Sequence, residues 1–222
     1  MFRPQVTVIL AISADGKIST RTSVPARFGS LADRKHLEQQ IANADGVLIG
    51  AGTVRAYGTT MRVLSPELID ERLARGQPPQ PVQILVSGSG NCDRNWHFFQ
   101  QPVPRWLLTL ERCEHRWESP SFERVLQAGV SAIDWSLALR KLRELSIKKL
   151  AVLGGSVLVG SLLNAGYVDE LWLTVCPLLF GAGVNVIAKA GLVEPKQLTL
   201  LSAEKIEQEV FLHYRISAAP NR

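Results

Sequence analysis

The stretch that most constrains the fold runs from Lys149 to Gly183 and contains two adjacent glycines. A short apolar run, Leu150–Leu153, ends at Gly154-Gly155, and the apolar residues that follow recur at helical spacing. After Gly166, where a helix would end, apolar residues alternate with others up to Cys176, as in a strand. The pattern predicts a strand, a tight turn, a helix and a second strand.

The glycine turn has two interpretations. Glycines let main-chain amides approach a ligand, and the partially positive end of the following helix favours a phosphate. A tight turn that only allows close packing of helix on sheet requires the same residues. Gly181-Ala182-Gly183 lie beyond the second strand, and open α/β sheets bind ligands outside the carboxyl ends of their strands. We therefore expect the active cleft at this edge, with both interpretations of the turn left open.

Composition limits the class of protein. The 222 residues are 46% hydrophobic and 20% charged, which fits one α/β domain with a substantial core. No apolar run is long enough for a bilayer and no signal-peptide pattern is present, so we expect a soluble cytoplasmic protein without a membrane partner. The net charge of +5 favours small anions, but the basic residues are dispersed, and nucleic acid is not the expected partner. The cysteines and histidines lack metal-site spacing, so no metal is expected.

The rest of the chain alternates between strand and helix patterns. It predicts strands at Val6–Ile12, Gly46–Ile49, Val82–Val86, Trp106–Leu110 and Val130–Ile133, helices at Leu31–Ala44, Pro66–Arg75 and Ser136–Leu145, and a charged connection at Glu111–Glu118. Leu198–Ser202 and Glu209–Ser217 read as late strands that extend the sheet antiparallel. The predicted fold is α/β, a mainly parallel sheet flanked by helices with antiparallel C-terminal strands, in a single domain over residues 1–222.

Charged side chains in two loops are candidates for the substrate. The turn after the first strand carries Asp15 and Lys17 into the expected ligand region, and Arg62 in a later loop suits bidentate binding of a phosphate. A solvated Asp-Gly turn and a solvated loop arginine explain the same residues, so a structural role stays open for each.

Two further turns offer groups to an anionic ligand. Gly50–Arg55, which includes Gly52 and Thr53, is a second glycine turn leading toward a short helix, with main-chain amides available. Ser87–Gly90 follows the third strand and offers hydroxyl groups to a phosphate or ribose. Ordinary turn and loop use is the alternative for both.

Three stretches, in order, resemble the reductase domain of the riboflavin-biosynthesis pyrimidine deaminase-reductases. They are ILAISADGKIS at 9–19, ADGVLIGAGTVRA at 44–56 and VLGGSVLVGSLLNAGYVDELWLTVCPLLFGAG at 152–183, and the resemblance covers nearly the whole chain. It implies a dihydrofolate-reductase-like fold, NADPH as cofactor and a homodimer, for which exposed apolar residues of the late strands are candidates. It also implies reduction of the ribosylamino group of a phosphorylated aminopyrimidine, the uracil or its 2,5-diamino analogue, to ribitylamino. The deaminase half requires a zinc-binding H-x-E pattern together with P-C-x-x-C, and this combination is absent from the sequence because it has no P-C-x-x-C, so a stand-alone reductase is expected.

The same resemblance implies roles for individual residues. Ala11 and Thr53 resemble cofactor contacts, and Gly155–Ser161 resemble the loop and helix start that hold the dinucleotide phosphates. Ser87 and Ser89, with Arg55, are candidates for the 2′-phosphate. The predicted cofactor-binding residues are Ala11, Gly52, Thr53, Ser87, Ser89, Gly154, Gly155, Ser156, Val157, Leu158, Gly160 and Ser161.

The chain differs from this family on the substrate side. Leu153 stands where the family has Glu before the glycine pair, and Tyr57-Gly58 where an Asp-containing stretch follows GTVRA. Ile9 stands where the bacterial bifunctional enzymes have a lysine. These differences leave the exact pyrimidine open.

We expect the nicotinamide beside Ala11 and the diphosphate on the helix that starts near Gly155. Asp15 is the candidate catalytic residue, orienting the substrate or relaying a proton, and Lys17 and Arg62 are candidates for the substrate phosphate. No histidine is well placed to act as the acid, which leaves solvent as the proton source. Two alternatives stay open: reduction of a pterin or dihydrofolate-like substrate, and a catalytically silent nucleotide-binding protein. The sequence does not separate NADPH from NADH.

Overall fold

The computed structural model describes residues 2–20, 28–116, 121–187 and 191–218. The strands are β1 (Gln5–Ser13), β2 (Lys17–Thr20), β3 (Gly46–Gly50), β4 (Val82–Val86), β5 (Arg105–Thr109), β6 (Arg124–Gln127), β7 (Lys149–Val152), β8 (Glu170–Cys176), β9 (Gly183–Asn185), β10 (Lys196–Ile206) and β11 (Glu209–Ala218). The α-helices are α1 (Leu31–Ala42), α2 (Ala51–Tyr57), α3 (Pro66–Ala74), α4 (Trp135–Glu144) and α5 (Ser156–Asn164).

The chain forms two compact units, and each unit is built from separated stretches. Residues 1–5 and 38–151 make the first unit, and residues 6–37 and 152–222 make the second. Among the described helices, none combines the length and the apolar character needed to cross a membrane.

The first unit is a parallel sheet with strand order β7-β3-β4-β5-β6. Its strands are almost continuous apolar runs, and Val47, Leu48, Ile84 and Leu107 are fully buried, as expected for strands covered on both faces. A buried arginine holds irregular backbone in place: Arg72 Nη1 donates to the carbonyls of Ala42 and Ala44 at 2.8 and 2.7 Å, and its Nε donates to that of Pro78 at 2.8 Å. These bonds satisfy carbonyls that no sheet or helix partner satisfies.

The second unit combines parallel and antiparallel pairing. Strand β1 pairs parallel with β8, β8 pairs antiparallel with β11, and β11 pairs antiparallel with β10. The register places Ala11 beside Thr174 and Thr174 beside Phe211. Helix α1 covers this face, because the His36 ring contacts those of Trp172 and Phe211. Strands β2 and β9 form a separate two-stranded sheet.

The predicted α/β class is confirmed, including the mainly parallel strands and the antiparallel C-terminal pair. The strand predicted at Val130–Ile133 is wrong: the strand beside β5 is Arg124–Gln127, whereas Val130 is 67% exposed in the loop before α4. Gly129 turns the chain there with φ of 102°, and a Cβ on it would overlap the carbonyl of Ala132. The apolar residues at Val130–Ile133 thus led to a predicted strand in a segment that is a loop, and the strand at Arg124–Gln127 was missed.

Two other segments differ from expectation. The predicted turn at Gly50–Arg55 is shorter than expected, because α2 begins at Ala51 and places Gly52 and Thr53 in its first turn. The connection predicted at Glu111–Glu118 begins as a 3-10 helix, Glu111–Arg116, and its last two residues lie outside the described residues. Whether the chain is one domain stays a prediction.

Candidate functional site

The glycine pair of the second unit forms a turn whose first position favours glycine. Gly154 has φ of 92°, in the region that favours glycine, and a Cβ added to it would lie 3.3 Å from Cδ2 of Leu10. The peptide bond between Gly154 and Gly155 is cis. Gly155 then caps α5 without a side-chain hydrogen bond, and its carbonyl accepts from the amide of Val159 at 3.0 Å.

The first turn of α5 has the properties of an anion-binding helix start. By helix geometry the amides at positions 156 to 158 have no acceptor inside the helix, and they point out of its positive end. The Val157 side chain is 74% exposed and Ser156 is partly exposed, so the turn is open. Leu158 and Gly160 are buried on the packing side, and the Ser161 hydroxyl donates to the carbonyl of Leu158 at 2.8 Å.

Asp15 anchors the loop that follows β8. Its carboxylate accepts hydrogen bonds from the Ser13 hydroxyl at 2.6 Å and from the amides of Phe180 and Gly181 at 3.1 and 2.8 Å. The Ser13 bond is the largest of the effects that lower the pKa of Asp15, followed by that of Phe180. An ionised anchor of this kind orients a loop, and it is not a proton donor at neutral pH.

Lys17 and Arg62 lie in different units. Lys17 Nζ donates to Oδ1 of Asn185 at 2.6 Å, which links β2 and β9 in the second unit. Arg62 is partly exposed in the loop between α2 and α3 of the first unit. The role of each in substrate binding stays a prediction.

In the first unit, the structure brings together the loop at Ser87–Gly90 and Arg55. Ser87 is buried, and its carbonyl accepts from the Thr109 hydroxyl at 2.7 Å. Ser89 is exposed, and its hydroxyl accepts from the amide of Asn91 at 3.2 Å. Arg55 Nη2 donates to the carbonyl of Asn91 at 3.5 Å. Gly52 and Thr53 lie nearby in sequence, at the start of the seven-residue helix α2.

Sequence reasoning missed a group of polar side chains between α1 and the strands of the second unit. Glu209, 3% exposed, accepts from the amide and hydroxyl of Ser30 at 2.9 and 2.5 Å and from the thiol of Cys176 at 3.3 Å. Asp33, in the first turn of α1, lies near the side chain of Thr174, and its amide donates to the Ser30 hydroxyl at 3.1 Å. Burial raises the pKa of Asp33, the Thr174 side chain opposes this, and the charge of Glu209 adds to the rise.

Within the described ranges, 2–20, 28–116, 121–187 and 191–218, no three or more His, Cys, Asp and Glu side chains converge as metal ligands would. In the second unit, the first turn of α5 is suited to binding an anion, and hydrogen-bonded polar side chains lie beside α1.

A family model and similar known proteins agree on one family for this chain. The family model described as the RibD C-terminal domain matches residues 4–212. The chain is similar to the 2,5-diamino-6-ribosylamino-4(3H)-pyrimidinone 5′-phosphate reductase of Archaeoglobus fulgidus, with 27% identity over 81% of this chain and 83% of the relative. The reductase of the same name from Methanothermobacter thermautotrophicus is 26% identical over 81% of this chain and 80% of its own length.

Solved structures show the same fold. A pyrimidine reductase-like protein from Corynebacterium diphtheriae superposes with a TM-score of 0.82 at 22% identity, covering 97% of this chain and 93% of that one. The deaminase/reductase of Thermotoga maritima superposes with a TM-score of 0.78 at 21% identity, covering 97% of this chain and 57% of that one. The predicted fold is therefore confirmed across nearly the whole chain.

Proposed function

The chain belongs to the RibD C-terminal domain family and is an oxidoreductase, and from this premise we propose that it is an NADPH-dependent reductase of riboflavin biosynthesis. The proposed reaction converts the ribosylamino group of a phosphorylated aminopyrimidine to ribitylamino. The observation that carries the proposal is the open first turn of α5 behind the Gly154-Gly155 turn.

The residues around this turn fit a dinucleotide diphosphate. Main-chain amides at positions 155 to 158 would hold the phosphate oxygens, and the absence of a Cβ at Gly154 keeps the turn against Leu10. A reduced nicotinamide supplies a hydride when it is bound. Ala11, near the carboxyl end of β1, is the proposed neighbour of the nicotinamide ring.

In the first unit, Arg55, Ser87 and Ser89 are the proposed ligands of the adenosine 2′-phosphate, which would favour NADPH over NADH. Support comes from the Arg55 guanidinium, whose hydrogen bond to the Asn91 carbonyl holds it at this loop. Measuring NADPH and NADH affinity for Arg55→Ala tests this: loss of affinity for NADPH alone is expected, and equal losses for both would reject the assignment.

On the substrate side, we propose for Asp15 a role that differs from the catalytic role expected from the sequence. We assign Asp15 to positioning, because its carboxylate holds the main chain of Phe180 and Gly181 beyond the end of β8. Lys17 and Arg62 remain proposed ligands of the substrate phosphate.

One experiment tests cofactor and substrate together. NADPH oxidation is followed by nicotinamide absorbance with the 2,5-diamino pyrimidinone, its uracil analogue and dihydrofolate in turn, and NADPH binding is titrated by fluorescence. We expect turnover with a pyrimidine, and loss of NADPH binding in Gly155→Val but not in the control Ala165→Val at the exposed end of the same helix. Tight NADPH binding without turnover would identify a silent nucleotide-binding protein instead.

We also propose a homodimer formed through one sheet face of the second unit. On the side of β8, β10 and β11 opposite α1, the register aligns mostly apolar side chains, with one charge, Lys205 opposite Val210, near the turn of the hairpin, so most of the face can meet its own copy without burying a charge. Leu200 and Leu198 are 54% and 41% exposed on it. We call this set the apolar face: Leu171, Leu173, Val175, Leu198, Leu200, Val210, Leu212, Tyr214 and Ile216.

A further inference from the structure

We propose that Asp33 is the acid that donates the proton in the reduction, a catalytic role for a residue of α1. The inference rests on the proposed function, because it needs a reaction that consumes one hydride and one proton. It assigns to α1 a step for which the sequence suggested Asp15 as a proton relay or solvent as the proton source.

The position of Asp33 follows from strand register. Asp33 lies three residues before His36 on α1, and the His36 ring contacts Trp172 and Phe211 of the sheet. Thr174 pairs with Phe211 on that face and with Ala11 across the β1–β8 ladder. Side chains of directly paired residues project from the same face of a sheet. Asp33 therefore lies over the face on which Ala11 sits, and Ala11 is the proposed neighbour of the reacting nicotinamide ring.

Two carboxyl groups in this region have unequal surroundings. Glu209 is saturated by three donors, two from Ser30 and one from Cys176. For Asp33, burial raises the pKa most, the Thr174 side chain opposes this, and the nearby charge of Glu209 adds to the rise, so its protonated form is favoured. Different surroundings of this kind are how neighbouring carboxyl groups come to play different roles in acid-base catalysis.

The carboxyl group of Asp33 also has a defined location and access to solvent. Gly29 lies directly against it, since a Cβ built on Gly29 would overlap Oδ2 of Asp33. Asp33 is partly exposed, so its proton can be replaced from water after each turnover. The titratable groups that face it are Glu209 of β11 and Cys176 of β8, and His36 lies one turn further along α1.

The proposed step balances as follows. The sugar-amine reacts as its ring-opened imine, in which a C=N double bond joins the sugar carbon to the pyrimidine amine. The carbon gains the hydride as a new C–H bond, the nitrogen gains the proton of the Asp33 carboxyl as a new N–H bond, and the C=N π bond is lost. The Thr174 side chain stabilises the resulting Asp33 carboxylate until a solvent proton replaces the one donated.

The test compares Asp33→Asn, which keeps size and hydrogen bonding but cannot donate an acidic proton, with Asp33→Glu and with the wild type. Turnover of the pyrimidine substrate is measured against pH together with NADPH affinity. The carboxyl signal of Asp33 is titrated by ¹³C NMR in the wild-type protein without ligands. We expect wild-type kcat to fall as pH rises, Asp33→Asn to lose about 100-fold or more of kcat with unchanged NADPH affinity, and Asp33→Glu to recover part of it.

The outcomes separate the two claims. A wild type that turns over the pyrimidine, with Asp33→Asn within about threefold of it, would overturn the acid role and leave the proposed function standing. An NMR titration of Asp33 at or below the ordinary pKa of 3.8 would also overturn the acid role. A wild type that reduces no pyrimidine would overturn the proposed function, and the acid role with it.

Discussion

The imidazole of His213 lies flat on the indole of Trp172, with ring centroids 4.0 Å apart and planes 9° from parallel. His36 on α1 contacts the same indole edge-on, with ring centroids 4.6 Å apart, so Trp172 contacts two histidine rings. Glu170 Oε2 lies 3.1 Å from Nε2 of His213 on the strand side. The packing of α1 on the sheet therefore depends on ring contacts made by histidine side chains.

Stability should fall as the solution becomes acidic because of His36. Burial lowers its pKa below 6.5, with Glu204 opposing and His213 adding to the effect. As the pH falls, His36 therefore takes up a proton in the unfolded chain before it does so in the folded chain. The free energy of unfolding decreases as the pH falls through the pKa that His36 has in the unfolded chain. We expect urea unfolding from pH 7 to 5 to show this slope, at most about 1.4 kcal/mol per pH unit for one proton, and His36→Phe to reduce it. The exposed His97, replaced in the same way, should leave the slope unchanged; equal slopes in both variants would contradict the role of His36.

A carboxylate placed in the first turn of α5 should have opposite effects on stability and on binding. Ser156→Asp is expected to stabilise the protein by about 0.3 to 1 kcal/mol through the helix dipole. The same charge repels a diphosphate, so we expect at least about tenfold weaker NADPH binding by fluorescence titration. Ser136→Asp, in the first turn of α4, is the matched control: similar stabilisation with unchanged affinity. Weaker binding in both variants would argue against the assigned diphosphate position.

Removing the buried guanidinium of Arg72 should destabilise the first unit strongly. Arg72→Met leaves the carbonyls of Ala44 and Pro78 without their donor, at a cost of about 1 to 3 kcal/mol each. Arg75 keeps its own bond to the Ala42 carbonyl but is exposed, so Arg75→Met should cost less than about 1 kcal/mol. Urea denaturation measures the free energy of unfolding of both variants. Similar decreases in the two variants would show that the buried hydrogen bonds of Arg72 do not stabilise the protein more than the exposed bond of Arg75.

A charge on the apolar face should separate the proposed dimer. Leu200 is on that face, whereas its neighbour Thr199 pairs with Arg215 and points to the other side of the hairpin. We expect light scattering after size-exclusion chromatography to give a dimer mass for the wild type and for Thr199→Asp, and a monomer mass for Leu200→Asp. A monomeric wild type at micromolar concentration would reject the dimer.

The sequence allowed the strands and helices to be predicted where a local pattern controls them. The unbroken apolar run at Val6–Ile12 and the strand-glycine-helix pattern around Gly154 both correspond to elements of the structure. Periodicity failed at Val130, where apolar residues lie in a loop, and at β2 and β9, whose pairing depends on chain segments far apart in sequence.

For the candidate site residues, too, local sequence patterns were informative and contacts between distant segments were not predicted. Turn chemistry led to Asp15, but the partners that make it a loop anchor, Phe180 and Gly181, are 165 and 166 residues away. Asp33 was missed because it has the pattern of an ordinary residue at a helix start, and Glu209 was missed because it is the first residue of a predicted strand. Their proximity exists only after β11 has paired with β8, and no local signal in the sequence indicates it.

The chain passes between the two units at residues 5, 37 and 151, so the second unit consists of two stretches that are synthesised far apart. Strand β1 leaves the ribosome early, yet its partner β8 follows only after 156 further residues, from 14 to 169, have been made. The first unit, by contrast, has all of its residues by position 151. During translation the apolar strand β1 is therefore made long before its partner β8, so we expect chaperones to bind it in the nascent chain.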